Sequence, residues 1–308
     1  MRAVLLCPGQ GAQKVGMGRD LAERFPAARE TFAAVDDALG IPLSQLMWDG
    51  PEEDLTRTQN AQPAILAHTC AVLAAVGDHL QPAVALGHSL GEYSAWVGAG
   101  ALSAVDAARL VRRRGELMAE AGERRAGAMA AVLLLDPGEV ERACRAASVE
   151  GEVAVPANLN SPEQTVISGD PGAVARAGEL CRAQGAKRVV PLKVSGAFHS
   201  PLMAPARDGL DRALAAVAFA TPRVPVVANA TAAPVTDPAE AVRLLGEQLV
   251  APVRWVESVR RAAADHPGLP FVEAGPGAVL TGLLKKIVPE AQGLTLGTAD
   301  EVERFLQS

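Results

Sequence analysis

Short apolar runs of strand length alternate with helix-length patterns along almost the whole chain, and this restricts the fold more than any other feature. Residues 3–7, 83–87, 224–228, 270–273 and 293–296 are strand-length and mostly free of charge. Continuous apolarity, as opposed to strict alternation, suits parallel strands covered on both faces. Helical patterns over 17–25, 63–80, 90–98 and 279–287 lie between or after them. Strands alternating with helices predict an α/β fold with a mainly parallel sheet.

The middle of the chain follows another order. Residues 128–135 read as a strand, 137–147 as a helix, 153–159 and 164–168 as two strands, 172–184 as a helix and 187–194 as a strand. That βαββαβ order is the ferredoxin-like unit. It interrupts the α/β pattern, so 125–196 is read as an inserted subdomain and 1–124 with 197–308 as the core. A chain of 308 residues agrees with this, at about 150 residues per domain.

Composition removes several function classes. The charge is 29 Lys plus Arg against 35 Asp plus Glu, a net −6, and only ten residues are aromatic. Nucleic-acid binding needs clustered cations and stacking rings, so no nucleic-acid partner is expected. The N-terminus reaches Pro8-Gly9 after a short apolar run, too short for a signal-peptide core. The uncharged run 58–77 carries Gln59, Asn60, Gln62, Pro63 and His68, which are costly in hydrocarbon, so no membrane partner is expected. Cys7, Cys70, Cys144 and Cys181 are far apart and form no Cys-x-x-Cys. They read as four buried thiols of a cytoplasmic enzyme, with no metal site.

The sharpest local motif is Gly87-His88-Ser89-Leu90-Gly91, a G-x-S-x-G between an apolar strand and a helix-compatible segment. In that setting it is a nucleophile elbow, with Ser89 at a strained apex. A serine hydroxyl needs a base, and five histidines compete. His68 sits in a helical apolar run and reads as a satisfied core residue, His79 ends a helix, and His266 lies in a turn. His88 should point to the other side of the elbow. His199, in a loop where the chain returns to the main sheet, is the candidate base. The interval between Ser89 and His199 holds no acid that stands out, so a backbone carbonyl could orient the imidazole, leaving a dyad.

Two further features bear on the site. On the helical pattern 103–122, opened by Ser103-x-x-Asp106, residues Ala107, Leu110, Val111, Leu117, Met118 and Ala121 share one face at 100° per residue. Arg114 falls near its centre, about 60° from Val111 and about 40° from Met118. A guanidinium aimed at a core needs an anion. That anion is either a protein carboxylate or a substrate carboxylate received as a fork, and the pattern does not decide between them. The loop Pro8-Gly9-Gln10-Gly11-Ala12-Gln13 fits neither phosphate-binding fingerprint, so no nucleotide cofactor is expected. Its backbone N–H groups could form half of an oxyanion hole, with the Leu90 N–H as the other half.

Taken in order, these motifs resemble one family. Pro8–Gln13, Gly87–Glu92, Arg114-Gly115, Asn158-Leu159-Asn160-Ser161-Pro162 and Gly196-Ala197-Phe198-His199-Ser200 are followed by Gln248-Leu249, Pro252-Val253-Arg254-Trp255 and Glu273-Ala274-Gly275-Pro276-Gly277. The series closely resembles malonyl-CoA:acyl carrier protein transacylases, including the discrete acyltransferases of polyketide synthases. The resemblance implies a hydrolase-like core with the ferredoxin-like insert, and ping-pong transfer of malonyl from malonyl-CoA through Ser89 to a carrier-protein thiol. It also implies His199 as general base, Gln10 and Leu90 amides for the oxyanion, Arg114 for the malonyl carboxylate and the Gln248 carbonyl to orient His199. Phe198 and Leu90 resemble malonyl-using members, while Gly196 is expected to enlarge the pocket toward an atypical extender. The implied partner is an acidic acyl carrier protein, met by Lys187, Arg188, Lys285 and Lys286. The rival classes are a hydrolase acting on acyl carrier proteins or esters, which uses the same Ser89 and His199, and a non-catalytic docking subunit.

Overall fold

The computed structural model describes residues 1–307. Its strands, in chain order, are β1 (Arg2–Cys7), β2 (Gln81–Gly87), β3 (Ala128–Leu133), β4 (Ala154–Ser161), β5 (Gln164–Gly169), β6 (Arg188–Pro191), β7 (Val226–Val227), β8 (Pro234–Val235), β9 (Phe271–Ala274) and β10 (Gly293–Leu296). Six form one sheet in the order β10-β9-β1-β2-β7-β8. Every pair in it is parallel except β7 with β8. The other four form an antiparallel sheet, β4-β5-β3-β6, with the helices Pro137–Ala147 and Pro171–Ala183 between its strands. This is the predicted α/β architecture with a ferredoxin-like βαββαβ unit.

Element boundaries shift where glycine or proline sets them. The first helix begins at Arg19, not 17, because Gly18 is left-handed at φ 77°. The helix expected over 63–80 spans Thr58–Val76 and ends against Gly77, φ 49°. Pro63 lies inside it, and its missing N–H leaves the Gln59 carbonyl to accept from Arg112 Nη1 at 3.1 Å. The strand expected over 224–228 shrinks to Val226–Val227, since Pro225 precedes it and the chain turns at Asn229. That over 187–194 stops at Pro191. β8 was not expected at all.

Core packing explains the continuous apolar strands. Along β1, Ala3, Leu5 and Cys7 face one apolar layer while Val4 and Leu6 face another. Both faces are therefore dry, and no position of 3–7 tolerates a charge. The insert divides its faces differently. Ala130 and Val132 of β3 pack with Val140, Ala143, Ile167 and Ala173 in a small core of its own, whereas Met129 and Ala131 turn toward the main body. β4 is tied to the core by Leu159 N–H to the Val253 carbonyl, 2.9 Å, and Val253 N–H to the Ala157 carbonyl, 2.8 Å. All four cysteines are buried and free.

The Ser103 hydroxyl caps the helix Ala104–Arg124 by accepting from the Asp106 N–H at 3.0 Å. Along that helix Gly115 permits a close crossing with the Thr58–Val76 helix. A Cβ there would stand 2.6 Å from Gln59 Cα and 2.8 Å from the Thr58 carbonyl oxygen. This crossing sets Gln62 against Arg114. Among the described residues, no helix is long and apolar enough to cross a membrane.

Candidate active site

β1 and β2 run side by side in parallel, so their carboxyl ends deliver the Pro8-Gly9-Gln10 loop and the Ser89 turn to one edge of the sheet. Three glycines make this junction possible. A Cβ on Gly9 would lie 2.4 Å from the His88 carbonyl oxygen, one on Gly87 1.9 Å from that of Gly91, and one on Gly91 2.2 Å from that of Cys7. Ser89 itself is left-handed, φ 54°, as a nucleophile elbow requires. Such a conformation costs about 1–3 kcal/mol in a non-glycine residue and persists only when the surroundings over-determine it.

Those surroundings are hydrogen bonds. The Ser89 N–H donates to Asn229 Oδ1 at 2.7 Å, and Asn229 Nδ2 donates to the Gly87 carbonyl at 2.7 Å. Gln248 Nε2 donates to the Ser89 carbonyl at 2.9 Å. Ser89 Oγ is 2.7 Å from His199 Nε2, and His199 Nδ1 lies 3.0 Å from the Gln248 carbonyl and 3.2 Å from that of Ala251. Carbonyls only accept, so Nδ1 carries the proton and Nε2 presents its lone pair to the hydroxyl. Burial above all, then the Arg114 charge, lowers the His199 pKa to about 3, so the ring is neutral at physiological pH.

Arg114 is 1% exposed. Its Nη1 donates to Gln62 Oε1 at 2.7 Å, and Nη2 donates to Ser89 Oγ at 3.2 Å and Gln248 Oε1 at 3.1 Å. Its Nε has no partner, and no carboxylate lies within 4 Å of the guanidinium among the described residues. The internal ion pair left open by the sequence is therefore absent. What holds the cation are neutral oxygens, and the charge remains free to meet an anion beside Ser89.

Ser89, Leu90, Arg114 and His199 open into a cleft of about 330 Å³ shared with Gln10, Met118, Met129 and Phe198. Gln10 Oε1 accepts from Thr58 Oγ1 at 3.0 Å, which fixes the first loop. Neither the Gln10 nor the Leu90 N–H donates to another protein group among the described residues. Gly196, expected to widen the pocket, is not on the cleft wall. It lies behind Phe198, where a Cβ would stand 3.3 Å from the ring.

The other histidines divide as follows. His88 lines the same cleft, but its Nε2 lies 2.8 Å from Asn160 Oδ1 and its ring meets Trp255 edge-on, so it is engaged away from Ser89 Oγ. His68 is buried, with a pKa lowered by desolvation to about 4, but its Nδ1 has no partner among the described residues, so it is less satisfied than expected. His79 closes a helix through the Val76 carbonyl, and His266 sits at a helix end. Lys187, Arg188 and Lys286 line one shallow groove of about 300 Å³ with Leu134 and Leu283, while Lys285 lies outside it. Lys286 Nζ pairs with Glu163 Oε2 at 2.9 Å.

Sequence reasoning assigned no role to Gln62, Glu92 or Asn229. Each had one signal: a polar residue in an apolar stretch, 61–76 for Gln62, 90–97 for Glu92, 224–230 for Asn229.

Comparison with known proteins agrees with this geometry. Residues 4–300 match the acyl transferase domain family. The chain is 43% identical over 308 residues to the malonyl CoA-acyl carrier protein transacylase of Bacillus subtilis, covering 100% of this chain and 97% of that protein. Against the protein of the same name from Escherichia coli O157:H7 it is 47% identical over 287 residues, 91% of each. An acyl carrier protein S-malonyltransferase from Vibrio cholerae superposes with a TM-score of 0.94 at 44% identity, covering 98% of this chain and 99% of that one. A malonyl-transacylase in complex with its type II polyketide synthase acyl-carrier protein gives a TM-score of 0.94 at 41% identity, over 99% of both. At this identity and coverage, the chain belongs to the acyl transferase family, among the malonyl CoA-acyl carrier protein transacylases.

Proposed function

We propose that this protein moves a malonyl group from malonyl-CoA to the phosphopantetheine thiol of an acyl carrier protein, in fatty acid or polyketide biosynthesis. Ser89 Oγ attacks the thioester carbonyl as His199 Nε2 takes the hydroxyl proton. The C–S bond breaks and the proton passes to the departing CoA sulfur. The carrier thiol then attacks the Ser89 ester, its proton going to His199 and on to Ser89 Oγ. In each half the Gln10 and Leu90 N–H groups receive the oxyanion. The Gln248 carbonyl, joined by that of Ala251, keeps His199 in the tautomer that accepts from Ser89.

The observation that carries this reading is Arg114, buried 3.2 Å from Ser89 Oγ with neutral partners alone. A general esterase has no use for a cation there. A malonyl chain does, since its far carboxylate reaches the guanidinium when its thioester carbonyl sits at Ser89. We read the chain as a core of 1–124 with 197–308 and an insert of 125–196; Ser89, Arg114 and His199 then belong to the core, and Met129 of the insert lines the same cleft. The acidic carrier is met by Lys187, Arg188 and Lys286, which border exposed Leu134 and partly buried Leu283, with Lys285 outside that groove.

Incubation with malonyl-CoA followed by mass analysis tests the reading. A malonyl adduct on Ser89, absent in Ser89→Ala and discharged by holo carrier protein, is expected. Free malonate without carrier loading would establish the hydrolase instead.

A further inference from the structure

Beneath the elbow, one carboxylate gathers everything that shapes the site. Glu92 is buried on the helix Gly91–Gly98. Its Oε2 accepts from the Asn229 N–H at 2.9 Å and from Gln248 Nε2 at 2.8 Å. Asn229 clamps the Ser89 N–H, and the Gln248 side chain clamps the Ser89 carbonyl and accepts from Arg114. The backbone carbonyl of Gln248 receives His199 Nδ1. The Gln248 amide orientation is fixed by its neighbours, because a flip would set its oxygen against two acceptors and its NH₂ against the guanidinium. Glu92 Oε1 accepts no hydrogen bond of normal geometry among the described residues, its polar neighbour being the Trp96 indole.

We propose that Glu92 is a positioning residue that anchors the Asn229 and Gln248 clamps, and that it takes up a proton when an acyl carboxylate pairs with Arg114. This rests on the transacylase reading above. The geometry supplies the coupling: Arg114 and Glu92 share Gln248 as a common partner, so an anion that pairs with Arg114 withdraws its charge from Glu92. Before loading, the Arg114 cation favours the ionised form of Glu92. A malonyl carboxylate adds a second negative charge to the same dry region, and neutralising Glu92 removes one of the two. Burial raises the Glu92 carboxyl to about 7, against the opposing pull of the Asn229 and Gln248 bonds, the Arg114 charge and the Trp96 indole. The titratable groups around it do not compete. The Tyr93 phenol on the same helix is pushed up by burial, with Asp211 beyond it, and the Cys7 thiol of β1 is likewise raised. His199 stays neutral.

Acyl transfer itself moves the Ser89 proton to the CoA sulfur and leaves the solution's proton count unchanged, so uptake reports on Glu92. In weak buffer at pH 7 with a pH indicator, wild-type protein loaded from malonyl-CoA should take up protons in proportion to the Ser89 adduct counted by mass. Acetyl-CoA, releasing the same thiol, should give none per adduct. Glu92→Gln retains a bond to the clamps without a charge and should load malonyl with no uptake. An adduct without uptake in wild type, or equal uptake from acetyl-CoA or in Glu92→Gln, overturns the inference. Absence of any malonyl adduct would instead sink the transacylase reading. Should Glu92→Gln fold poorly, the wild-type contrast between the two acyl groups still decides.

Discussion

Ser89 and His199 face each other as two left-handed residues, φ 54° and 56°, with Oγ and Nε2 2.7 Å apart. Both lie in the left-handed region, uncommon outside glycine, and at Ser89 that conformation is held by the Asn229 and Gln248 side chains. The hydrogen bond between them is therefore the outcome of two strained turns brought into register, one after β2 and one after the insert. Geometry stored in the backbone in this way is lost when its clamps are removed.

Asn229→Ala tests that dependence. The substitution deletes the acceptor for the Ser89 N–H and the donor to the Gly87 carbonyl, each worth about 1–3 kcal/mol when left unsatisfied. The elbow should relax toward an ordinary conformation, moving Oγ from Nε2. We expect kcat for malonyl transfer to fall about 10- to 100-fold, since misplacement of a reacting atom by ~1 Å carries a penalty of that order. KM for malonyl-CoA should change little. Steady-state kinetics with a folded variant, checked by circular dichroism, would refute the clamp if kcat were preserved.

Arg114→Ala separates acyl classes. Removing one partner of a buried charge pair costs about 2–5 kcal/mol, so kcat/KM for malonyl-CoA should drop by at least about 30-fold. Acetyl-CoA has no carboxylate to pair, and its loading should persist or rise. A competition between the two acyl-CoAs, read by mass on Ser89, measures the switch. Equal losses for both would show that the arginine serves only the fold.

The pH profile follows from the base. Burial, reinforced by Arg114, holds the His199 pKa at about 3, below the ordinary imidazole value of about 6.5. A ring with a depressed pKa is disabled only as pH falls through that lower value. Single-turnover loading at pH 5 should therefore stay within about threefold of that at pH 7. A half-loss of rate near pH 6.5 would mean that the imidazole is solvated and the site open to water.

Much of this was legible in the chain. G-x-S-x-G names its own turn because sterics admit little else: any side chain at 87 or 91 collides with backbone. Arg114 was visible as a cation on an apolar face, since helical periodicity is a strong signal. What it pairs with was not, because Gln62 lies on another helix whose approach depends on Gly115. Asn229 and Glu92 were equally hidden. Their roles arise from tertiary neighbours 140 and 156 residues away, at Ser89 and Gln248 respectively. Strand ends failed for a local reason, proline and turn chemistry at 191 and 225–229 overriding apolar composition.

Gly115→Ala probes the crossing that the sequence concealed. The new Cβ would sit 2.6 Å from Gln59 Cα, on backbone that cannot swing aside. Overpacking of this kind costs about 1–3 kcal/mol, and the two helices must separate to relieve it. Gln62 would then withdraw from Arg114 Nη1, and the guanidinium would lose its aim. We expect a lower melting temperature together with a malonyl-selective loss of loading, smaller than that of Arg114→Ala. Destabilisation with unchanged malonyl-to-acetyl preference would uncouple the crossing from specificity.

The proposed docking of an acyl carrier protein at the basic groove is testable by charge reversal. Lys187, Arg188 and Lys286 converge on one groove from two separate segments, next to Leu134, which is 47% exposed. Cations bordering an apolar patch suit an acidic partner that also buries a side chain, steering it first and seating it afterwards. Glu163 already neutralises part of Lys286, so its removal should strengthen the field. Reversing Lys187 and Arg188 to glutamate should raise KM for the carrier about tenfold at low salt. The gap from wild type should close as ionic strength approaches about 0.5 M, where screening is nearly complete at groove dimensions. Glu163→Gln should shift KM the opposite way. Carrier kinetics insensitive to all three changes, or a defect that ignores salt, would place the docking surface elsewhere.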